Sequence, residues 1–379
     1  MIFDYETLRC IWWGFLGLLL IGFAVSGGYD LGVGVLLPYL GKTDDERRVI
    51  INASAPTWEG NQVWLITAGG ALFAAWPIAY AVAFSSLYVA LFLTLFALWL
   101  RPLGFDYRSK MPNQQWRDYW DKALFIGGFV PALIFGVAFG NLLKGIPFHL
   151  ESDMRMSYLG DFWGLLNLFS LIAGVVSLFM LTMHGAVFLQ LKTEGAIQER
   201  AKKAVVLATS VTLAAFALAG LWVTRLEGYH VTSVIHENGV SNPLAKFVKR
   251  GEGLWLDNYQ HIPALWAIPV LVFVAGGLTI WLSKKDQPGW AFISSASAIA
   301  GIILTAAVSM FPFLIPSNIS LNSSLTIWDA SSSHKTLQIM FWATVIFLPM
   351  VLLYTRWVFK VLRGKVTVQQ IQQQPYHFY

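Results

Sequence analysis

The chain has 379 residues and a net charge of +5; 12% of it is charged, about half the roughly 25% of soluble proteins, while 56% is apolar and 15% aromatic. So few charges cannot cover a soluble surface, which excludes a soluble enzyme, a disordered tail protein and a nucleic-acid binder. The single cysteine, Cys10, excludes an intrachain disulfide, an iron–sulfur cluster and a thiolate zinc site within this chain.

A bilayer core of about 30 Å takes roughly 20 apolar helical residues. Runs free of Asp, Glu, Lys and Arg predict helices over about 10–40, 53–76, 78–100, 119–143, 162–190, 203–224, 262–283, 289–311 and 335–360, about nine transmembrane helices in one all-α, polytopic membrane domain spanning 1–379. The run 60–100 is too long for one helix, and Trp76-Pro77 near its middle predicts a hairpin, because proline cannot donate the helical hydrogen bond. The start of the chain carries Asp4 and Glu6 with one base, Arg9, and reads as a retained first span rather than a cleaved signal. Segment 225–261 is polar enough to form a small outside cap. Asp329 and the serines after it read as the start signal of the last helix. The Gln-rich tail 361–379 predicts a poorly ordered cytoplasmic end.

An odd number of crossings puts the termini on opposite faces. With the N-terminus outside, most of the 26 basic residues fall in inside segments, among them Arg47, Arg48, Arg101, Arg108, Arg117, Arg200 and Arg356. That predicts a multi-pass membrane protein with its C-terminus in the cytoplasm.

An ionisable residue inside a membrane helix is expensive to bury and marks a candidate site. Asp30 is the clearest case, toward the inner end of the first span. Glu59 opens the next helix in TWEGNQVW, with Asn61 and Gln62 as polar neighbours. Together the four suggest a cytoplasmic proton-entry route, although an acid at a helix start is also favoured by the helix dipole. The stretch RPLGFDYRSK holds Arg101, Asp106 and Arg108; one reading is an ordinary basic loop, another a contact with a second subunit or with lipid headgroups. Gly28-x-x-x-Gly32 and Gly136-x-x-x-Gly140 predict close helix approach. Of seven histidines only His184 lies well inside a span, with no partner at matching depth for a bis-His haem, and a polar interhelical contact is its better reading. No metal site and no catalytic group is assigned to this chain.

These residues also carry a family resemblance. GFAVSGGYDLGVG, TWEGNQVWLITAGGALFAAWP, RPLGFDYRSK, GVAFGNLLKGIPF, MFPFLIPS and SLTIWDASSS occur in the order of subunit II of cytochrome bd-type quinol oxidases, and the chain resembles that family over nearly its whole length. The resemblance implies a bacterial inner-membrane terminal oxidase that oxidises quinol, reduces dioxygen to water and takes protons from the cytoplasm. It implies two four-helix bundles plus one peripheral helix. It further implies a partner subunit I carrying two b-type haems and one d-type haem, small single-span subunits, and in some members a ubiquinone in subunit II. Asp30 stands at the second acid of the family's D-G-F-D element and Glu59 at the acid of H-W-D/E-G-N-Q. Gly27 replaces the first acid and Thr57 the histidine. Gly27 suggests extra space, and hence water, beside Asp30. The alternatives are a polytopic secondary transporter, which would show repeats and broken helices, and a purely structural membrane scaffold with inert acids.

Overall fold

A computed structural model describes residues 3–373. In chain order its α-helices are α1 (Tyr5–Leu40), α2 (Asp44–Ser54), α3 (Trp58–Ala75), α4 (Pro77–Ser86), α5 (Tyr88–Tyr107), α6 (Gln114–Lys144), α7 (Leu168–Lys192), α8 (Gly195–Val223), α9 (Asp257–His261), α10 (Ala267–Lys284), α11 (Pro288–Met310), α12 (His334–Val361) and α13 (Val368–Gln373). Three antiparallel two-stranded ribbons join them: β1 (Phe148–Leu150) with β2 (Met156–Tyr158), β3 (Glu227–Val231) with β4 (Val248–Glu252), and β5 (Phe313–Ile315) with β6 (Leu325–Thr326).

Among the described residues eight helices are long and apolar enough to cross a membrane: α1, α5, α6, α7, α8, α10, α11 and α12. The ninth expected span corresponds to α3, which begins at Trp58 rather than near 53. Residues 44–54 form the separate α2, and Pro56 in the intervening turn has no amide to continue a helical ladder. The polar first turn of α3, with Glu59, Asn61 and Gln62, lowers its hydropathy. The hairpin turns at Trp76 (φ −137°, ψ 73°), with Pro77 opening α4. At the turn Phe73 and Tyr80 have ring centroids 5.1 Å apart; at the far end Trp58 of α3 lies 5.7 Å from Phe105 of α5. The carbonyls freed at the end of α3 accept from Ser332, whose N–H donates to Ala75 O (2.8 Å) and whose hydroxyl donates to Ala74 O (2.5 Å).

Helices α7, α8, α10 and α11 pack as a closed four-helix set. Helices α3, α1, α6 and α5 form a second set in which α1 touches α3 and α6, and α6 touches α5. The sets meet where α1 and α6 pack on α7, the most buried span, whereas α12 lies outside both with a single fully buried side chain, Leu337. Glycine makes this junction possible. A β-carbon on Gly32 would stand 2.1 Å from Leu181 O of α7, and one on Gly185 only 2.6 Å from the Gly32 carbonyl carbon. At Gly136 the same test meets Ala173 O of α7 at 2.2 Å, so both small-residue pairs are sites of backbone approach.

One end of the molecule is rich in strands and loops, the other in arginine. At the strand-rich end Arg9, buried in the second turn of α1, stacks over Tyr5 (3.5 Å) and donates to Ser331 Oγ (2.7 Å), Gly239 O (3.1 Å), Ser241 Oγ (2.9 Å) and Glu237 O. Here the sequence expectation for Asp329 fails. The cap of α12 is Ser333, which accepts from Thr336 N–H, while Asp329 is buried four residues earlier. Asp329 accepts from Thr326 N–H (3.1 Å) and Oγ1 (2.5 Å) and pairs with Lys246 at 3.1 Å. Burial pushes the Asp329 carboxyl up and the Lys246 ammonium down, and each is pulled back by the other's charge. The tail expectation fails for the described part as well. Val368–Gln373 is helical and Ile371 is fully buried, while 374–379 lie outside the described residues.

Replacing Lys246 by Met leaves the buried Asp329 carboxylate without its counter-charge, so thermal or denaturant unfolding of the strand-rich cap should lose about 3 kcal/mol. A K246M chain as stable as the parent contradicts the pairing.

Candidate functional site

Tyr29 and Asp30 sit where the glycine contacts pull α1 against α6 and α7. Both are buried, and α3 supplies their partner. Asn61 Nδ2 donates to Asp30 Oδ2 at 2.6 Å and to the Tyr29 hydroxyl oxygen at 2.8 Å. The Thr57 hydroxyl donates its only proton to Ser54 O (3.1 Å), so across the 2.7 Å Tyr29–Thr57 contact Tyr29 is the donor. The result is a one-way chain: Asn61 amide to Tyr29 hydroxyl, to Thr57 hydroxyl, to the last carbonyl of α2. Thr57 takes a place in this chain that a larger side chain would fill differently.

The other oxygen, Asp30 Oδ1, is buried without a hydrogen-bond partner, and so are both terminal nitrogens of Arg101. The two side chains line one cavity of about 10 Å³ together with Val33, Gly34, Leu37, Ile50, Ile51, Ser54, Phe105 and Leu124. That volume holds about one water, and a water needs the two to four polar partners that Asp30 and Arg101 offer. The guanidinium also lies 5.8 Å from the Trp58 ring and 5.9 Å from the Phe105 ring. Its stem passes Gly127, where a β-carbon would meet Arg101 Cγ at 2.7 Å. Arg101 is therefore turned inward, and a surface contact to lipid does not fit its position.

The other candidates separate. Asn61 is at the centre of the site. Gln62 is half-buried, with Nε2 unpartnered. Glu59 is exposed on the outer face of α3 and makes no described bond to Asp30. Asp106 is exposed. Arg108 is buried in an ion-pair network, with Nε 2.5 Å from Asp121 Oδ1 and Nη2 2.9 Å from Asp44 Oδ1. Arg47 joins Asp118 and Asp121, each at 2.9 Å, and Arg117 joins Asp44 at 2.7 Å. These pairs bolt α2 and α6 together at the arginine-rich end. The extra space expected at Gly27 is absent, because a β-carbon there would stand 2.6 Å from the Phe23 ring, which already fills that side. The sequence does not connect Asp30 with Tyr29, which shares Asn61 with it, or with Arg101, which shares its cavity. Arg101 looks like a loop residue because it ends an apolar run, although α5 continues to Tyr107 and a cation inside a span is itself a signal.

His184 has both ring nitrogens engaged, Nδ1 with Ser295 Oγ at 2.7 Å and Nε2 with Val25 O at 3.0 Å, and its ring stacks on Phe292. It is a polar interhelical contact. Among the described residues no group of three or more His, Cys, Asp or Glu could hold a metal ion. A second, larger cavity of about 580 Å³ lies between α1, α6, α7, α8, α10 and α11. Phe135, Phe169, Met180, Phe216, Trp266 and Phe273 dominate its wall, with Ser177, Thr224, Tyr259, Thr305 and Ser309 as its few polar groups.

Comparison with known proteins places these features. The profile of the family described as cytochrome bd terminal oxidase subunit II matches residues 8–362. The chain is 51% identical over 377 residues to the cytochrome bd-I ubiquinol oxidase subunit 2 of Escherichia coli K12, covering 99% of this chain and 100% of the relative. It is 30% identical over 362 residues to the cytochrome bd ubiquinol oxidase subunit 2 of Bacillus subtilis, covering 95% and 97%. The solved bd oxidase of Geobacillus thermodenitrificans has a chain of the same fold, with a TM-score of 0.70 at 18% identity and coverage of 94% and 98%.

The Asp30–Arg101 pair is testable by a double-mutant cycle. Arg101→Met alone leaves a buried carboxylate uncompensated and should destabilise by about 3 kcal/mol, whereas adding Asp30→Asn should recover much of that loss. Strictly additive effects would show that the two groups do not interact.

Proposed function

The chain belongs to the cytochrome bd terminal oxidase subunit II family, and from that premise we propose that it carries a proton-uptake route running from the arginine-rich end to Asp30. As a subunit II it is part of a quinol:oxygen oxidoreductase complex, paired with a subunit I, and it sits in the bacterial inner membrane. The transporter alternative falls away with that membership. The observation that carries the proposal is the buried Asp30 carboxylate. One oxygen is held by Asn61 and the other faces a water-sized cavity shared with Arg101. A carboxyl that gains and loses a proton needs such an arrangement: a fixed geometry, a counter-charge for the ionised form and a water within reach.

Glu59 and Gln62 serve as the mouth of the route, next to the Asn61–Tyr29–Thr57 chain. Glu59 lies on the outward face of α3 with Val63, Ile66 and Phe73, where an acid facing lipid would be costly. A protein neighbour there relieves that cost, and subunit I is the neighbour the family supplies. The concentration of Arg47, Arg48, Arg108, Arg117, Arg200 and Lys202 at one end supports a cytoplasmic location for that end and for the C-terminus, with the N-terminus periplasmic.

The haems, two b-type and one d-type, belong to subunit I in this reading. His184 has no free nitrogen to offer them, whichever tautomer it adopts. A bound ubiquinone is a different matter. The 580 Å³ apolar cavity has the size of a small-molecule site and few polar groups, which suits a quinone ring with an isoprenoid tail. The residues that would hold it are the ring-stacking Phe135, Phe169, Phe216 and Phe273, with Tyr259 and Ser309 at the polar edge. Small single-span subunits would add to the apolar outer faces.

In the assembled oxidase Asp30→Asn should lower quinol-supported oxygen consumption by about tenfold, roughly 1.4 kcal/mol of barrier, with the haem spectrum intact. Normal turnover with normal proton uptake would leave the acid inert and favour the scaffold reading; loss of all haem would make its role one of assembly.

A further inference from the structure

The cavity between Asp30 and Arg101 has a floor made by α2, which contributes Ile50, Ile51 and Ser54. Eleven residues are too few for a helix to hold itself in water, so α2 stays where its neighbours put it. Its start is well made: Thr43 and Glu46 form a reciprocal capping box, and Glu46 also binds Arg200. Its underside is covered by a segment whose composition promises no structure at all, the Gln-rich chain after α12.

That segment is tied down at each step. The Lys192 ammonium donates to Leu362 O at 2.5 Å. Gly364 turns the chain with φ +121°, and Val366 N–H then donates to Lys192 O at 2.8 Å. Thr367 and Gln370 cap α13 reciprocally, with Thr367 N–H to Gln370 Oε1 at 3.1 Å and Gln370 N–H to Thr367 Oγ1 at 3.2 Å. Ile371 is then buried completely in the apolar cluster that contains Tyr29, Val49, Ile50 and Ile51. One residue further on, Gln372 Nε2 donates to Asp45 Oδ2 at 2.8 Å, on the first turn of α2. A tail with no purpose for α2 would not place its isoleucine there and hydrogen-bond the same helix beside it.

We propose that Ile371 is a positioning residue for proton uptake: carried back by residues 362–373, it clamps α2 as the floor of the Asp30–Arg101 cavity and keeps a single bridging water in reach of the carboxyl. The proposal rests on the Asp30 route proposed above. Its physical basis is preorganisation, since proton transfer through one water requires hydrogen-bond distances on both sides, and a floor that moves by an ångström breaks one of them.

The test uses the whole assembled oxidase with Ile371→Glu and Ile371→Leu. In I371E, hydrogen–deuterium exchange of the α2 amides at Ile50–Asn52 should quicken by about tenfold. The same complex should lose about threefold in kcat, with the quinol KM and haem content unchanged. I371L, which keeps an aliphatic side chain of equal size, should restore both. Unchanged exchange would overturn the clamp, and faster exchange with unchanged kcat would overturn its role in positioning. Should I371E strip the haems, Lys192→Met, which removes the ammonium's ties to Leu362 O and Gly364 O but keeps Ile371, is measured by the same exchange and kcat, and the same two results would overturn the clamp or its positioning role. An Asp30→Asn control separates the failures: normal turnover in D30N removes the underlying route, whereas α2 exchange in I371E reports on the clamp by itself.

Discussion

A carboxylate buried in a membrane helix must be compensated, and much of the set formed by α1, α3, α5 and α6 is arranged around that requirement. Asp30 draws on three other elements at once: Asn61 from α3, Arg101 from α5 and the cavity floor from α2. Gly32 against Leu181 and Gly185, and Gly128 against Leu31, allow backbones to approach until a β-carbon would not fit. Close packing of small residues fixes α1, on which Asp30 sits, against α6 and α7, while α2, α3 and α5 supply the groups around its carboxyl.

The two ends of the molecule solve different problems. At the arginine-rich end the ion pairs of Arg47, Arg108 and Arg117 with Asp44, Asp118 and Asp121 join α2 to α6, so the cavity floor is held by charge on one side and by the apolar Ile371 on the other. At the strand-rich end a single arginine in α1 and a single buried lysine tie long loops to the helix starts. Those loops make α3 possible as a short helix, because Ser332 takes over the carbonyls it leaves unpaired.

The helical plan was legible in the sequence because its signal is composition over long windows, and membrane burial enforces it. The hairpin at Trp76-Pro77 followed from proline chemistry, and Asp30 from the cost of an intramembrane acid. What stayed hidden depends on geometry between elements. Arg101 is far from Asp30 in the chain and resembles a loop cation. Glu59 is an acid like Asp30 but faces outward on α3, and helix phase relative to a neighbour cannot be read from one run of residues. Asp329 has the chemistry of a helix cap and the location of an ion-pair partner; only the buried Lys246, from a different loop, distinguishes them. In the tail, composition argued for disorder, and one isoleucine with a socket outweighed its polar neighbours.

On the proposed route Asp30 changes protonation during turnover. Redox-induced infrared difference spectroscopy of the assembled oxidase reads this directly through the carboxyl C=O stretch. A proton-carrying Asp30 gives a band that appears between the oxidised and reduced states, shifts in deuterium oxide and disappears in Asp30→Asn. A difference spectrum in the carboxyl region that is the same for the parent and D30N enzymes would contradict it.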